Sequence, residues 1–457
     1  MGRHLIVAGV DFGTSFTKVV LRDNNTPGQK AVVVTFPGHA DGLLPSIVGL
    51  GRDSLLPPTM AGEHTEVPYL KMLAAHVANG EALDATHVRI PAALDAMRSS
   101  RPDSDVVREL LAFYFAQIMA GTEAFIRTQS SWRDFDFTPR NENDYLIYQL
   151  AVPSGLLAGD GATERLFREA FIASHELRHG IDAAMKSGVA HKLWSERVSG
   201  VFSGDRAALD SRYKWQCLLY PEVAAAVQTV FRSPNAKDGL YMTMDVGAGT
   251  VDLNAFRRFT GHPNQNGNGG NAPRRLDYYS AIVCPLGVQN LNDPYRAVRR
   301  RDERELFEEL KANLFRLYTG GQEYQSNKDA QGRRYPPGNR PWDRATLFIF
   351  GGGSHHPGYK QTFSHGPSQG WLQVLDPGYA ELPVRSQARR RALRPPHVYS
   401  LPAAQDLTRP RNVDFGRFAV AYGLSFFRSN LDKVRLPHQL MPFHKLYPRR
   451  EAGPPSE

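Results

Sequence analysis

Two short motifs constrain the fold of this chain more than any other feature, because each sets an aspartate, glycines and hydroxyl residues between apolar runs. The first is VDFGTSFTKVV at residues 10–20, and the second is MDVGAGTVDL at residues 244–253. Apolar runs on both sides of a tight glycine turn predict a β-hairpin. Glycines let backbone N–H groups approach a phosphate, hydroxyls add donors, and aspartates can hold a hydrated divalent cation. Two such hairpins facing one another would bind a nucleoside triphosphate from both sides.

A third glycine run, LFIFGGGS at residues 347–354, begins with apolar residues that predict a buried strand. The three glycines allow the backbone to pack closely against a flat ring or a phosphate. Each of the three motifs, taken singly, is also typical of a turn without a ligand. Together, and in this order, they favour a nucleotide site.

The composition is that of an ordinary globular protein, with 41% hydrophobic and 22% charged residues in a chain of 457. This length allows two or more hydrophobic cores. The sequence contains no apolar run of about 18 residues, the length that a membrane span needs. The N-terminal MGRH leads directly into a predicted strand, without the apolar stretch of a signal peptide. Two cysteines, Cys217 and Cys284, are expected in the core, and the sequence predicts a cytoplasmic protein.

The chain is basic, with a formal charge of +9 and a pI near 9.4. Such a charge suits nucleic acid or an acidic partner. The sequence lacks the basic stretches interleaved with aromatic residues that are typical of nucleic-acid binding. A solvated basic face is therefore the preferred interpretation, and nucleic-acid binding is the open alternative.

Apolar periodicity predicts alternating strands and helices, and therefore an α/β fold. Strands are predicted for two segments within 5–23, and for 30–36, 45–50 and 145–153. Helices are predicted for 105–128, with Asp103 or Ser104 as the cap, and for 161–179, 217–231, 302–318 and 413–431. Ala224, Ala225 and Ala226 are small enough for very close contact between helices. The segments 261–274, 319–342 and 357–411 are predicted to be irregular.

In their order, the three glycine motifs resemble phosphate 1, phosphate 2 and the adenosine motif of the actin, sugar-kinase and heat-shock ATPase superfamily. Four more segments are similar to the nucleotide-binding domain of DnaK-type chaperones, the seventy-kilodalton heat-shock family: PSIV at 45–48, LAVPS at 150–154, PEVAAA at 221–226 and VAYG at 420–423. The resemblance implies a two-lobed actin-like ATPase fold, in which duplicated ribonuclease-H-like lobes surround a nucleotide cleft. Lobe I would be residues 1–232 and lobe II residues 238–411, and 412–457 would hold a second connecting helix and a basic tail.

The resemblance also implies ATP or ADP with Mg²⁺ as ligands, and gives roles to individual residues. Asp11 and Asp245 match the aspartates that lie near the metal and its waters in the family. Lys71 matches the catalytic lysine, and Glu222 is the carboxylate nearest to the position of the catalytic-site glutamate. The other matches are nucleotide contacts: Gly13, Thr14 and Ser15 in the first turn; Gly247, Ala248, Gly249, Thr250 and Asp252 in the second; Glu308 and Lys311 at the ribose; and Gly351, Gly352, Gly353 and Ser354 at the adenosine side.

Several of these matches depart from the family pattern or have a plainer alternative. Aligned on Pro221, the family's glutamate position holds Tyr220, and Glu222 would point elsewhere. Either the alignment slips by a residue, or water positioning is weaker here and hydrolysis is slow. Lys71 could equally be a surface lysine, and Glu308 with Lys311 an exposed ion pair. Two substitutions also change the nucleotide contacts: Ala248 for a loop glycine and Ala312 for an arginine.

The resemblance implies slow Mg-dependent ATP hydrolysis and a nucleotide-controlled switch that acts on a separate protein. A client-peptide domain is not expected, because residues 432–457 are too few and too rich in proline for a β-sandwich. The segment 357–411 and the basic tail are candidate docking surfaces. The alternatives are a nucleotide-binding scaffold without hydrolysis, an actin-like filament protein, and a sugar or metabolite kinase.

Overall fold

The computed structural model describes residues 3–61, 66–83, 92–98, 101–138, 143–153, 161–233, 235–260, 274–292, 302–324, 345–362, 372–375, 390–393 and 396–440. The chain is a mixed α/β protein with several sheets, as the alternation of strand and helix patterns predicts. No helix in these ranges is long and apolar enough to cross a membrane.

The strands, numbered in chain order, are β1 His4–Phe12, β2 Phe16–Asp23, β3 Ala31–Val33, β4 Leu44–Pro45, β5 Val48–Leu50, β6 Ser54–Leu56, β7 Glu66–Val67, β8 Asp144–Val152, β9 Val189–Ala190, β10 Cys217–Pro221, β11 Gly239–Val246, β12 Val251–Phe259, β13 Arg275–Cys284, β14 Thr346–Phe350, β15 Leu372–Leu375, β16 Arg390–Leu393, β17 His397–Ser400, β18 Leu407–Thr408 and β19 Lys433–Arg435. The α-helices are α1 Leu70–Ala78, α2 Ala92–Arg98, α3 Asp103–Thr128, α4 Ala162–Leu177, α5 His191–Val201, α6 Arg206–Tyr213, α7 Glu222–Ala226, α8 Gln228–Phe231, α9 Gln289–Asn292, α10 Glu303–Tyr324, α11 Pro357–Gln361 and α12 Ala419–Leu424.

The two large sheets are built on the same plan. The first has the order β10-β8-β1-β2-β3-β18, with β4 also paired to β2, and the second has the order β17-β14-β11-β12-β13-β19. In the first, β1, β2 and β3 are antiparallel neighbours, and β8 and β10 continue parallel to β1. In the second, β11, β12 and β13 are antiparallel, and β14 and β17 continue parallel to β11. Each sheet therefore starts from a hairpin, as both glycine motifs predict.

The hydrophobic core is divided into layers that follow these sheets. One cluster packs α1, α3 and α4 on the first sheet, because apolar residues at helical spacing in α3 are buried along nearly its whole length. Another packs α10 on the second sheet. Between them, a third cluster contains α7 and α12 together with residues of both sheets, such as Val20 and Phe256.

Small residues allow α7 and α12 to touch each other and the first sheet. A Cβ on Gly423 would lie 1.8 Å from the carbonyl oxygen of Ala225, and a Cβ on Gly9 would lie 2.2 Å from the carbonyl oxygen of Ala421. Both approaches are too close for any side chain, so only glycine fits. The predicted close helix contact at residues 224–226 is confirmed.

The predicted helix at 217–231 is wrong in its first part. Cys217–Pro221 is strand β10, because its backbone pairs in parallel with β8 and its apolar residues are buried or nearly so. Helix α7 starts only at Glu222, directly after Pro221, which lacks the N–H that a helix interior needs.

The predicted helix at 413–431 is also too long. Only Ala419–Leu424 is α-helical, between 3₁₀ turns at Phe415–Arg417 and Arg428–Asn430. The Asp414 carboxylate accepts from the Gly416 N–H and forms the first turn. The Gln149 amide donates to the carbonyl of Leu424, the last residue of the helix, and to that of Phe426 just beyond it.

Smaller differences affect the remaining predicted elements. Helix α3 begins at Asp103 after Pro102, so neither Asp103 nor Ser104 is its cap; the Asp103 carboxylate instead accepts from the Leu83 N–H and from Arg98. The segment 45–50 is divided between β4 and β5, and 30–36 contains only β3. Helix α10 continues through 319–324, and the described parts of 357–411 contain α11, β15, β16, β17 and β18, which were predicted to be irregular. Residues 261–273 and 325–342 lie outside the described ranges.

Candidate functional site

The first glycine turn, residues 13–15, joins β1 to β2 and carries Asp11 at its base. Asp11 is paired with Lys18 across the hairpin, and the Lys18 ammonium donates to Asp11 Oδ2 at 2.8 Å. The other carboxylate oxygen of Asp11 is buried and accepts no hydrogen bond from the described residues. A Cβ on Gly13 would lie 2.6 Å from the carbonyl oxygen of Phe16, so the turn requires glycine there.

The second turn, residues 247–250, joins β11 to β12 and places two carboxylates side by side. Asp245 and Asp252 are direct partners in the antiparallel ladder, and the Gly247 N–H donates to the carbonyl of Thr250 at 2.9 Å. Directly opposite strand partners have Cβ atoms about 4.5–5.5 Å apart, so the two charges repel when both are ionised. Asp252 Oδ1 is buried and has no hydrogen-bond partner among the described residues.

The two turns lie against each other in the folded chain. A Cβ on Gly249 would be 2.9 Å from the Thr14 methyl group and 3.5 Å from the sulfur of Met72 on helix α1. The Ser15 hydroxyl donates to the side chain of Gln289 at 2.9 Å. The structure thus brings together the two motifs that are more than two hundred residues apart in sequence.

The third glycine run packs on the second turn. Gly351 has φ +90°, and a Cβ there would be 2.2 Å from Asp245 Oδ1. The Gly353 N–H donates to the carbonyl of Val246 at 2.8 Å, and the Ser354 hydroxyl caps the run by donating to the carbonyl of Gly351. Glycine is needed at position 351 because a Cβ there would collide with the Asp245 carboxylate and with the backbone that follows it.

Lys71 and Glu222 form a buried ion pair beside the turns. The Lys71 ammonium donates to Glu222 Oε2 at 2.6 Å, and each side chain is only 7% exposed. Lys71 is therefore not a surface lysine. Tyr220 lies in strand β10 and donates its hydroxyl to the carbonyl of Asp432, so Glu222 is the residue that faces the carboxylates. The expectation that Glu222 points elsewhere was wrong, because the residues before it are a strand and α7 begins with Glu222 itself.

Burial and mutual repulsion strongly perturb the carboxylates. Burial, with the charges of Glu222, Asp252 and Asp11, raises the pKa of Asp245 well above its usual range. Burial and Glu222 raise the pKa of Asp252 to about 7. Burial likewise raises the pKa of Glu222, against the opposing effect of Lys71. Burial lowers the pKa of Lys71, but Glu222, Asp252 and Asp11 outweigh it and raise the value to about 12.

The charge balance of this cluster fits a divalent cation. Four carboxylates face two ammonium groups, those of Lys18 and Lys71, which leaves an excess of two negative charges when all are ionised. Two carboxylate oxygens, on Asp11 and Asp252, are also left without hydrogen-bond donors. The described residues contain no group of three or more His, Cys, Asp or Glu spaced to ligate a metal directly.

Glu308 and Lys311 lie on helix α10, while the carboxylate cluster is built from β1, β11, β12 and α7. The Lys311 ammonium donates to Glu308 at 2.9 Å, and the two side chains are 31% and 65% exposed. The geometry is that of the exposed ion pair given above as the alternative. Ala248 lies in the second turn, where its carbonyl accepts from the Gln289 N–H at 2.8 Å.

Sequence reasoning missed several residues that shape the site. Lys18 could have been found, because the hairpin register places it opposite Asp11. Gly287 and Gln289 carry no motif; a Cβ on Gly287 would lie 2.3 Å from the Ala248 carbonyl oxygen. Only the fold brings this segment to the second turn.

A separate cavity of about 1030 Å³ lies at the edge strand β10 and the segment after α12. Trp215 and Tyr220 line it together with Arg274, Arg428 and Lys433. None of the four clustered carboxylates lines this cavity. The cavity and the carboxylate cluster are therefore two different candidate sites. We take the cluster as the candidate functional site, because it contains a buried carboxylate and a buried lysine with strongly perturbed pKa values.

The comparisons with known proteins do not assign this site. Neither the scan of protein-family models nor the search of curated proteins found a match to this chain.

Proposed function

We propose that the protein binds ATP with Mg²⁺ between its two glycine turns and hydrolyses it slowly. The observation that carries the proposal is the meeting of both turns at a buried cluster of four carboxylates and two lysines. Phosphate oxygens would accept from turn N–H groups and from Thr14, Ser15 and Thr250.

The repeated plan of the two sheets supports a two-lobed actin-like arrangement. The order β3-β2-β1-β8-β10 matches β13-β12-β11-β14-β17 in strand directions, as duplication of one lobe would give. Lobes with boundaries near 232 and 411 would each contribute one hairpin, and α7 and α12 would connect them. The Gly423–Ala225 contact between these helices is a suitable pivot.

The chain's own residues suit phosphoryl transfer to water. The Lys71 ammonium would stabilise charge on the phosphates, and Glu222 or Asp245 would orient the attacking water and accept its proton. Mg²⁺, when bound through waters to Asp11 and Asp245, would neutralise charge on the β- and γ-phosphates. The presence of Glu222 in the cluster favours hydrolysis over a scaffold that only binds nucleotide.

Entry of a triphosphate requires the turns to separate. Asp11 is 3% exposed, Thr14 7% and Asp245 8%, and the turns touch at Gly249. Opening and closing of the two halves would be the conformational change that a separate protein detects. We propose such a partner as the output of the switch, in a reducing compartment that suits two free, buried cysteines.

The docking surface is proposed in the segments 357–411 and 441–457. Residues 432–440 are not a free tail, because β19 is paired with β13 and the Asp432 carbonyl accepts from Tyr220. A truncation that tests the tail should therefore start after residue 440. The test is whether the protein captures a partner with ATP but not with ADP. If the truncated protein still does so, the tail is not the docking surface, and the segment 357–411 remains the candidate.

ATP binding and single-turnover hydrolysis with Mg²⁺ test the central proposal, with Asp245→Asn beside the wild type. We expect the substitution to slow phosphate release by roughly 100-fold or more, because it removes charge and proton-accepting capacity at the reacting phosphate. Asp210→Asn is the matched control, since Asp210 is 59% exposed on α6 and pairs only loosely with Arg168 at 3.7 Å.

Four results separate the possible functions. Equal turnover by wild type and Asp245→Asn would exclude the assigned role of Asp245. Tight ATP binding without turnover would make the protein a nucleotide-binding scaffold. Failure of the wild type to bind ATP would overturn the proposal altogether, and ATP-dependent sedimentation would favour the filament alternative.

A further inference from the structure

One glutamine side chain joins the first turn, the second turn and the helix that carries Lys71. Gln289 Oε1 accepts from the Ser15 hydroxyl at 2.9 Å and from the Tyr69 hydroxyl at 3.1 Å. Ser15 is in the first turn, Tyr69 precedes α1, and Gln289 begins the short helix α9. None of the three sequence motifs includes Gln289.

The backbone around Gln289 is fixed to the second turn. The N–H groups of Gly287, Val288 and Gln289 donate to the carbonyls of Gly249, Gly247 and Ala248 at 3.1, 3.2 and 2.8 Å. The Asn290 amide also donates to the carbonyl of Gly249. Gln289 therefore moves with the second turn, and its side chain reaches across to the first.

Tyr69 is held in an unfavourable conformation at this junction. Its φ is +57°, which is uncommon for a bulky residue, and its side chain is 4% exposed. Lys71 follows two residues later on α1. The hydrogen bond from the Tyr69 hydroxyl to Gln289 therefore links the closed turns to the start of α1, the helix that positions Lys71.

We infer that Gln289 is a positioning residue that holds the two turns closed and competes with nucleotide phosphate for the Ser15 hydroxyl. A serine hydroxyl has a single proton to donate, so Ser15 can donate to Gln289 or to a phosphate, but not to both. The inference rests on the proposed function, because the competitor is ATP at the same turns.

A quantitative consequence follows for nucleotide affinity. If only the open fraction of molecules accepts ATP, the apparent dissociation constant rises as that fraction falls. Each of the two hydrogen bonds to Gln289 favours the closed form, and ATP must replace them when it enters. By reciprocity, bound ATP weakens the contact between Gln289 and the first turn.

Hydrogen–deuterium exchange in nucleotide-free protein tests the closing contact directly. Gln289→Ala should increase exchange at residues 10–16 and 247–250, because the link between the turns is lost. Gln289→Glu keeps an acceptor for both hydroxyls and should leave exchange close to the wild-type rate. Unchanged exchange in Gln289→Ala would overturn the inference, whatever happens to nucleotide binding.

Stopped-flow binding of a fluorescent ATP analogue with Mg²⁺ tests the competition. Gln289→Ala should bind faster and roughly tenfold more tightly, the effect of about two ordinary hydrogen bonds in the closed form. Gln289→Glu should bind more slowly than the wild type, since it keeps the closing contact and adds a negative charge near the phosphates. Tyr69→Phe, which removes one of the two bonds, should fall between wild type and Gln289→Ala.

The matched control is Gln129→Ala, at the exposed end of α3, which should change neither measurement. Equal binding kinetics in wild type and Gln289→Ala would overturn the competition while leaving ATP binding itself intact. Absence of ATP binding in every variant would instead overturn the proposed function, and the competition with it. The two failures are therefore distinguishable.

Discussion

At the residue scale, the candidate site is defined by buried charges that do not balance. Asp11, Glu222, Asp245 and Asp252 are packed together because two hairpins and one helix start meet at one point. Lys71 is held among them by its bond to Glu222. Ionising all four carboxylates at once would cost folding free energy, and the raised pKa values of Asp245 and Asp252 show that protons relieve part of the repulsion.

This imbalance predicts that replacing Lys71 and replacing Glu222 have unequal effects on the free energy of unfolding. Lys71→Met leaves four carboxylates against Lys18 alone, and should lower the free energy of unfolding by about 3 kcal/mol or more. Glu222→Gln leaves three carboxylates against two lysines, and should cost less than about 1 kcal/mol. Urea unfolding in EDTA measures both.

The control for this comparison is Lys311→Met, which breaks the exposed pair with Glu308. Solvent screening limits the contribution of that pair to the free energy of unfolding to less than about 1 kcal/mol. A larger loss for Glu222→Gln than for Lys71→Met would contradict the excess of negative charge.

At the element scale, helices α7 and α12 approach each other closely because Gly423 has no side chain at their contact. Gly423 meets the Ala225 carbonyl, and Gly9 of β1 meets the Ala421 carbonyl, at distances that exclude a Cβ. The obstacle in each case is backbone, which cannot rotate away as a side chain can. These contacts set how closely the two sheets approach the helices between them.

Gly423→Ala should therefore destabilise the protein, although alanine is the better helix former. We expect a loss of roughly 2–3 kcal/mol in the free energy of unfolding, since α12 must shift away from α7. Gly200→Ala is the matched control: Gly200 lies in helix α5 with nothing within 4 Å of its Cβ position. That substitution should stabilise the protein by up to about 1 kcal/mol. Equal effects at the two sites would show that the close contact is absent in solution.

At the scale of the whole molecule, the segment after α12 ties the first sheet to the second. The Asp432 carbonyl accepts from Tyr220 at the end of β10, and the next three residues form β19 on the edge of the second sheet. Arg435 binds the carboxylate of Asp277 with two nitrogens. This segment therefore joins the two large sheets.

Arg435→Ala should loosen this connection without unfolding either sheet. Asp277 keeps a bond to Arg275, so the expected loss is about 1–2 kcal/mol. Hydrogen exchange should rise at residues 433–435 and 275–277, but not at the core of β1. Arg212→Ala, in an exposed pair with Glu176, is the control and should leave stability close to that of the wild type, because solvent screens that pair. Exchange that rises equally in all strands would contradict a local connection.

Local sequence patterns were enough to predict the two hairpins, the strand before the third glycine run, the α/β class and the long helix α3. These features follow from signals between near neighbours: alternation, helical spacing and glycine turns. Lys18 was not among the predicted site residues, although the hairpin register alone places it beside Asp11.

The tertiary structure decided what those elements became. Cys217–Pro221 is a strand because β8 pairs with it, and Gln149 from β8 binds the carbonyl at the end of α12 and that of Phe426 beyond it. Burial of Lys71 against Glu222, and the reach of Gln289 to Ser15, join residues distant in sequence. Local patterns cannot specify such contacts, since their free energy exists only once the chain has brought the partners together and removed water from between them.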